Sequence, residues 1–178
     1  MPANNEVAAQ FDEIADRLLL EGESWFKIAA YRRAANTLRA LAEPVTAVAE
    51  RRELDSLPGI GDAITTKIES FLSSGHIPLL DRLRSEQPPG LLPLMRETGL
   101  NPRDVLTLAT SPLRIDSPEA LERAVENGSL DDSGLLTAKE RSRLRGNHPR
   151  GVAADQPSEP TDTPRSQRSK SVSRRPQR

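Results

Sequence analysis

Leu57-Pro58-Gly59-Ile60-Gly61 stands between two helical patterns and dictates how the helices on either side of it can meet. Gly59 and Gly61 allow backbone angles and close approaches that a Cβ would block. Ile60 between them is placed to tuck under both helices and fix their angle. The amides of the turn and the N-terminus of the following helix then face outward together. Such an arrangement binds an anion, a phosphate above all, without needing a basic side chain. A contact of this kind reads the backbone of a nucleic acid and not its bases. The plain alternative is an ordinary helix–helix turn that uses glycine for tightness.

The rest of the chain is written in the helical period. Val7, Phe11, Ile14 and Leu18 form the first stripe, with Asn5 expected to cap it and Gly22 to end it. Ser24 is expected to cap a second helix from Trp25 to Leu41, its inner face carrying Ile28, Ala35 and Leu38. Pro44 fits the first turn of a short third helix through Val45 and Val48. After the glycine turn the pattern resumes through Ile64, Ile68 and Leu72 and stops at Gly75. Further helices are expected over 79–85, 91–97, 104–109 and from Ser117-Pro118 to Asn127-Gly128, which makes the Asn-Gly-Ser sequence there a helix-end turn. Thr137 and Glu140 have capping-box spacing before a last short helix to Leu144. No segment alternates apolar and polar residues long enough for a strand, so the fold expected is all-α: a compact bundle of helix-hairpin-helix units.

Composition narrows the chemistry. Aromatics make up only 3 % of the 178 residues, so Leu, Ile, Val and Ala must build the core. The chain has no Cys and only His76 and His148, which leaves no thiolate or His-rich metal site. No apolar run reaches the roughly 18 residues of a membrane span, and the polar, acidic N-terminus does not read as a secretion signal. A cytoplasmic protein, in a bacterium associated with the nucleoid, is expected. Net charge is −1, yet from Arg150 onward the only acids are Asp155, Glu159 and Asp162 while Arg dominates. A disordered, basic, Arg/Ser/Pro-rich tail is expected over 147–178, adding non-specific affinity for nucleic acid or merely solubility. The body is correspondingly more acidic, so any DNA contact there needs local charge or backbone amides.

The order of motifs resembles the N-terminal helix-hairpin-helix region of the X-family DNA polymerases, which include bacterial enzymes and DNA polymerase beta. The resemblance runs from Asn5-Glu6-Val7-Ala8 through Phe11, Ile14-Ala15, Phe26-Lys27-Ile28 and Ala30-Tyr31-Arg32-Arg33-Ala34-Ala35. It peaks at Leu57-Pro58-Gly59-Ile60-Gly61 with Lys67-Ile68-Glu69, and persists more weakly through Pro88-Pro89-Gly90-Leu91-Leu92 and Asp116 to Leu121. It implies a polymerase-beta-like domain over 1–85 and a second, degenerate helix-hairpin-helix-like region over 86–146. It also implies repair of gapped or nicked DNA. In DNA polymerase beta a lysine of this region removes 5′-deoxyribose phosphate through a Schiff base; Lys67 falls at its position, and Lys27, Tyr31 and Arg32 fall near the pocket or the 5′-phosphate site.

The departures bear on that expectation. Asp62 stands where bacterial relatives often have Lys, Thr65 where a small Ala is usual, and Thr66 where Glu is common, so one candidate base is missing. The second Gly-x-Gly loop reads Thr98-Gly99-Leu100-Asn101-Pro102, and a third near Asp132-Ser133-Gly134-Leu135 is degraded too. Metal-binding aspartates of a polymerase palm and a histidine-rich phosphoesterase are not found, so neither polymerase nor exonuclease activity is expected of this chain.

The function expected is sequence-independent recognition of gapped, nicked or damaged DNA in repair, alongside a separate polymerase or nuclease. Gly59, Ile60, Gly61, Ala63, Lys27, Tyr31, Arg32 and Arg33 are the candidate contacts. Tyr31 reads equally as a stacking or a core aromatic, and Trp25 as a hydrophobic anchor at the helix start. The second reading is a deoxyribose-phosphate or abasic-site lyase with Lys67 as nucleophile, since burial and neighbouring cations activate a lysine. The third is a protein-interaction scaffold that no longer touches DNA. No cofactor is expected; a monovalent cation on the hairpin's backbone carbonyls is compatible with the sequence and leaves no side-chain signature.

Overall fold

The structure, a computed structural model, describes residues 3–147; the tail expected to be disordered lies outside the described residues from His148 onward. No strand occurs among the described residues. Helices α1 (Asn4–Leu20) and α2 (Trp25–Ala40) form an antiparallel pair, with Arg39 bonded to Asp12 and Arg32 to Asp16 along their seam. Helix α3 (Val45–Glu50) and a 3₁₀ turn (Leu54–Ser56) lead to the glycine turn, followed by α4 (Asp62–Ser74) and α5 (Pro78–Glu86). Then come α6 (Leu91–Thr98), α7 (Pro102–Thr110), α8 (Pro118–Glu126), α9 (Ser129–Ser133) and α10 (Ala138–Asn147).

The apolar stripes become two cores. Val7, Phe11, Ile14 and Leu18 pack with Ile28, Tyr31, Leu38, Ile60, Ile68 and Leu83 in the first. The second gathers Leu91 to Leu144 around Val105, Leu108 and Leu121, and it takes Leu20 from the end of α1. Leu19 touches both cores, so α1 belongs to each. The linker between them is pinned: Gln87 donates to the Arg17 carbonyl at 2.9 Å and accepts from the Arg17 guanidinium at 3.3 Å. A Cβ on Gly90 would stand 2.4 Å from the Asp116 carbonyl oxygen, so only glycine fits there.

The helix ends follow local chemistry, with three corrections, the first at α2, where Ser24 holds the N-cap position but its side chain makes no capping hydrogen bond. Asn5 does not cap α1, which begins two residues earlier than such a cap would set it, with Ala3 at the N-cap. Asn4 is instead a clamp: its Oδ1 accepts from the Val45 amide at 2.7 Å and its Nδ2 donates to the Glu43 carbonyl at 2.8 Å. It thereby satisfies an open donor of α3, where Pro44 stands at the N-cap just outside the helix. Gly75 ends α4 in the left-handed conformation as the pattern predicts. The Thr137–Glu140 capping box forms, with the Thr137 amide donating to Glu140 at 2.7 Å. Helix α9 has five residues and no apolar repeat that would reveal it in the sequence.

Candidate nucleic-acid interface

Gly59 adopts φ +76, a left-handed angle that L side chains rarely take. It also lies against α2, because a Cβ there would stand 3.4 Å from the Arg33 Cβ. Ile60 is 3 % exposed and anchors the turn in the first core, as its position between glycines predicts. Gly61 is the N-cap of α4, extended at φ −110 and ψ 179, with open space around its Cβ position. The Thr37 hydroxyl donates to the Pro58 carbonyl at 2.7 Å and ties the turn to α2 a second time. The Ile60 amide bonds back to Leu57 at 3.1 Å, and the Gly61 carbonyl starts α4 by accepting from Ile64 and Thr65. The amides of Gly59, Gly61, Asp62 and Ala63 have no acceptor among the described residues, and no side chain caps α4.

The candidate cations fall into two groups. Arg33 is exposed, forms no ion pair among the described residues and flanks Gly59. Arg32 turns to Asp16 at 2.9 Å, an aspartate also held by Arg96 at 2.7 Å. Lys27 pairs with Glu23 at 3.0 Å on the exposed first turn of α2. Lys67 is half-buried; its Nζ donates to the Ala63 carbonyl at 2.8 Å and lies 6.0 Å from the Tyr31 ring centroid. Burial, and then the positive charge of Lys27, lower the Lys67 pKa from its ordinary value. Tyr31 is buried and packs on Phe11 with ring centroids 6.2 Å apart, so it is a core residue whose ring also faces the Lys67 ammonium. Burial raises its phenol pKa.

Trp25 is not the hydrophobic anchor expected. It is 66 % exposed and Phe26 beside it is 85 % exposed. The helical period already holds this signal: at about 100° per residue Phe26 lies roughly opposite the Ile28–Leu38 stripe, and Trp25 well off it. A cleft of about 250 Å³ beside the turn is lined by Arg52, Asp55, Asp62, Thr65, Thr66 and Glu69. The three positions that depart from the family pattern, Asp62, Thr65 and Thr66, all line it. The Thr66 hydroxyl bonds to the Asp62 carbonyl at 2.9 Å and is not a base. No group of three or more His, Cys, Asp or Glu among the described residues is placed to hold a metal ion. No helix among them is long and apolar enough to cross a membrane.

A buried aliphatic between a left-handed glycine and a glycine N-cap, joining two helices, defines a helix-hairpin-helix domain. Residues 2–77 match the family described as helix-hairpin-helix domain, so this part of the chain is such a domain. The chain is also homologous to X-family polymerases. It is 28 % identical over 152 residues to "DNA polymerase/3'-5' exonuclease PolX" of Bacillus subtilis (strain 168), spanning 85 % of this chain and 26 % of that protein. It is 27 % identical over 85 residues to "DNA polymerase lambda" of Rattus norvegicus, spanning 48 % of this chain and 14 % of that one. The chain thus matches about a quarter of the bacterial relative's length and less of the mammalian one's.

Proposed function

We propose that the chain is a sequence-independent DNA-binding module of repair that grips gapped, nicked or damaged DNA through the Gly59–Ala63 turn. The observation that carries this reading is the run of backbone amides at Gly59, Gly61, Asp62 and Ala63 with no protein acceptor, at a helix N-terminus and beside the unpaired Arg33. Open amides and a helix dipole favour an anion, and the phosphodiester is the anion every DNA sequence shares. Asp62 opposes binding, and Arg33 and Lys67 offset it. The exposed faces of Trp25 and Phe26 favour a substrate with unpaired bases, because base–aromatic stacking needs an open π-face on both partners. The turn's carbonyls fit a monovalent cation only in part: those of Leu57, Pro58 and Gly61 already accept hydrogen bonds, which leaves Gly59 and Ile60.

Gly61→Val tests the site. The extended backbone suits a β-branched residue and the space is open, so the variant folds, at a cost of up to about 1 kcal/mol from the altered cap. Its side chain stands among the open amides. Binding to a gapped duplex with a 5′-phosphate, followed by anisotropy over a salt series, should weaken by about tenfold. The slope of log affinity against log salt should flatten by roughly 0.9 for each phosphate no longer held. Full affinity in a folded Gly61→Val chain would sink the proposal.

The second reading is a lyase, favoured by the half-buried position of Lys67 over the Tyr31 ring and by its lowered pKa. The neutral amine adds to the C1′ aldehyde of an abasic sugar and loses water; elimination then needs a base for a C2′ proton. Borohydride trapping of a protein–DNA adduct tests it, and a Lys67→Ala chain that traps equally well rules this lysine out.

A further inference from the structure

We infer that phosphate binding is confined to the first hairpin, because the second turn, Gly99-Leu100-Asn101, is closed to anions by Asn101, Pro102 and Asp104. The inference rests on the DNA-binding reading above. The two turns share one backbone path. Gly59 and Gly99 are both left-handed, at φ +76 and +63. Ile60 and Leu100 are both buried, one in each core. Gly61 and Asn101 are both extended N-caps, with ψ 179 and 157. An extended N-cap does not require glycine, so Asn101 preserves the turn that its sequence made look degraded, and asparagine is a favoured cap.

The amides separate them. In the second turn the Gly99 amide bonds to Met95 at 3.0 Å and the Leu100 amide to the Thr98 hydroxyl at 3.2 Å. Position 102 is proline and has no N–H. The Asp104 amide is taken by the Asn101 side chain at 2.9 Å. The Asp104 carboxylate accepts in return from the Asn101 Nδ2 at 2.5 Å, which places a negative group at the helix start. Glu140, from the first turn of α10, interacts with the same carboxyl group. Of the four positions whose amides stand open in the first turn, only the counterparts Asn101 and Arg103 keep an open N–H here, and a phosphate arriving there would meet two acids beside them. In the third turn the Leu135 amide bonds to the Ser133 hydroxyl at 3.2 Å, and the Thr137 amide bonds to Glu140 at 2.7 Å, which again sets an acid at the helix start. The chain is therefore a single-anchor binder that holds DNA at one short stretch of backbone.

The test uses the full chain, the gapped duplex with a 5′-phosphate and the same salt series. Arg103→Gln removes an exposed charge from the second turn, and Asn101→Gly keeps an acceptable cap. Each should change affinity by less than about twofold and leave the slope alone, since remote exposed charges are screened. The triple change Asn101→Gly, Pro102→Ala, Asp104→Ala reopens donors and should steepen the slope by about 0.9 for a phosphate newly held. Arg103→Gln or Asn101→Gly chains that keep their helical spectrum yet flatten the slope overturn the inference. A triple variant with an unchanged slope overturns the assignment of closure to these side chains. An unsubstituted chain that does not bind at all overturns the DNA-binding reading itself and this inference with it, a result that neither of the other two resembles.

Discussion

At the scale of single residues, the site depends on positions whose neighbours decide what they do. Gly59→Ala forces an L side chain into a left-handed angle and against Arg33, and should destabilise the chain by about 1–2 kcal/mol in urea unfolding. Gly61 has neither constraint, so a substitution there tests the proposed contact with little cost to folding. Lys67 offers a pH test. Its pKa is lowered by burial and then by Lys27, so its neutral, reactive fraction rises at a lower pH than for a free lysine. The pH profile of Lys67 acylation, read by mass spectrometry, should lie below that of a free lysine side chain. Lys27→Gln removes the repelling charge and should move the profile back toward higher pH; an unmoved profile would leave burial as the sole cause.

At the scale of elements, the helices come from a repeat visible in the sequence and their junctions from side chains that are not. The stripe of Val7, Phe11, Ile14 and Leu18 requires a helix, and the core at those positions follows. The role of Asn4 is not legible in the sequence, because its partners are more than 35 residues away and no local rule brings α3 to it. Asn4→Ala should cost about 1–2 kcal/mol and fray α3 first, seen as faster hydrogen exchange at Val45. The same asymmetry holds in the site. Gly59-Ile60-Gly61 is legible because one residue type fits each place. The second turn looks degraded only while Asn101 is held against glycine as a residue type, whereas the backbone asks only for an extended cap. Arg32 and Arg33 are adjacent and indistinguishable by composition, and only the packing of Asp16 against α2 gives one a partner and leaves the other open.

At the scale of the whole molecule, charge fixes α5 and the linker after it onto α1. Glu13 accepts Arg84 through both oxygens, at 2.9 and 2.6 Å, and Arg17 at 2.8 Å. Arg84 and then Arg17 hold its carboxyl at about 2 against the burial that opposes them. The folded pKa is depressed, so this stabilisation is complete above 4.5 and is lost as pH falls from there toward 2. Discounted for solvent screening, it is worth about 1–2 kcal/mol. Glu13→Gln should remove that part of the acid limb in a pH series of melting temperatures; an unaltered limb would place the acid sensitivity elsewhere. Residues up to Asn147 form one compact unit, so heat should unfold both cores in a single transition, with calorimetric and van't Hoff enthalpies equal.

Leu20 closes the second core from the last turn of a helix whose other apolar residues build the first, and Leu19 packs against both. The boundary between cores therefore runs through a helix and not through the linker that follows α5. Cutting the chain after Glu86 leaves the first half with two leucines uncovered at one end of α1, an adhesive patch where the second core had been. A fusion that transplanted this half alone would self-associate there. Portability has to be engineered at positions 19 and 20, far in sequence from any place where a cut would be made.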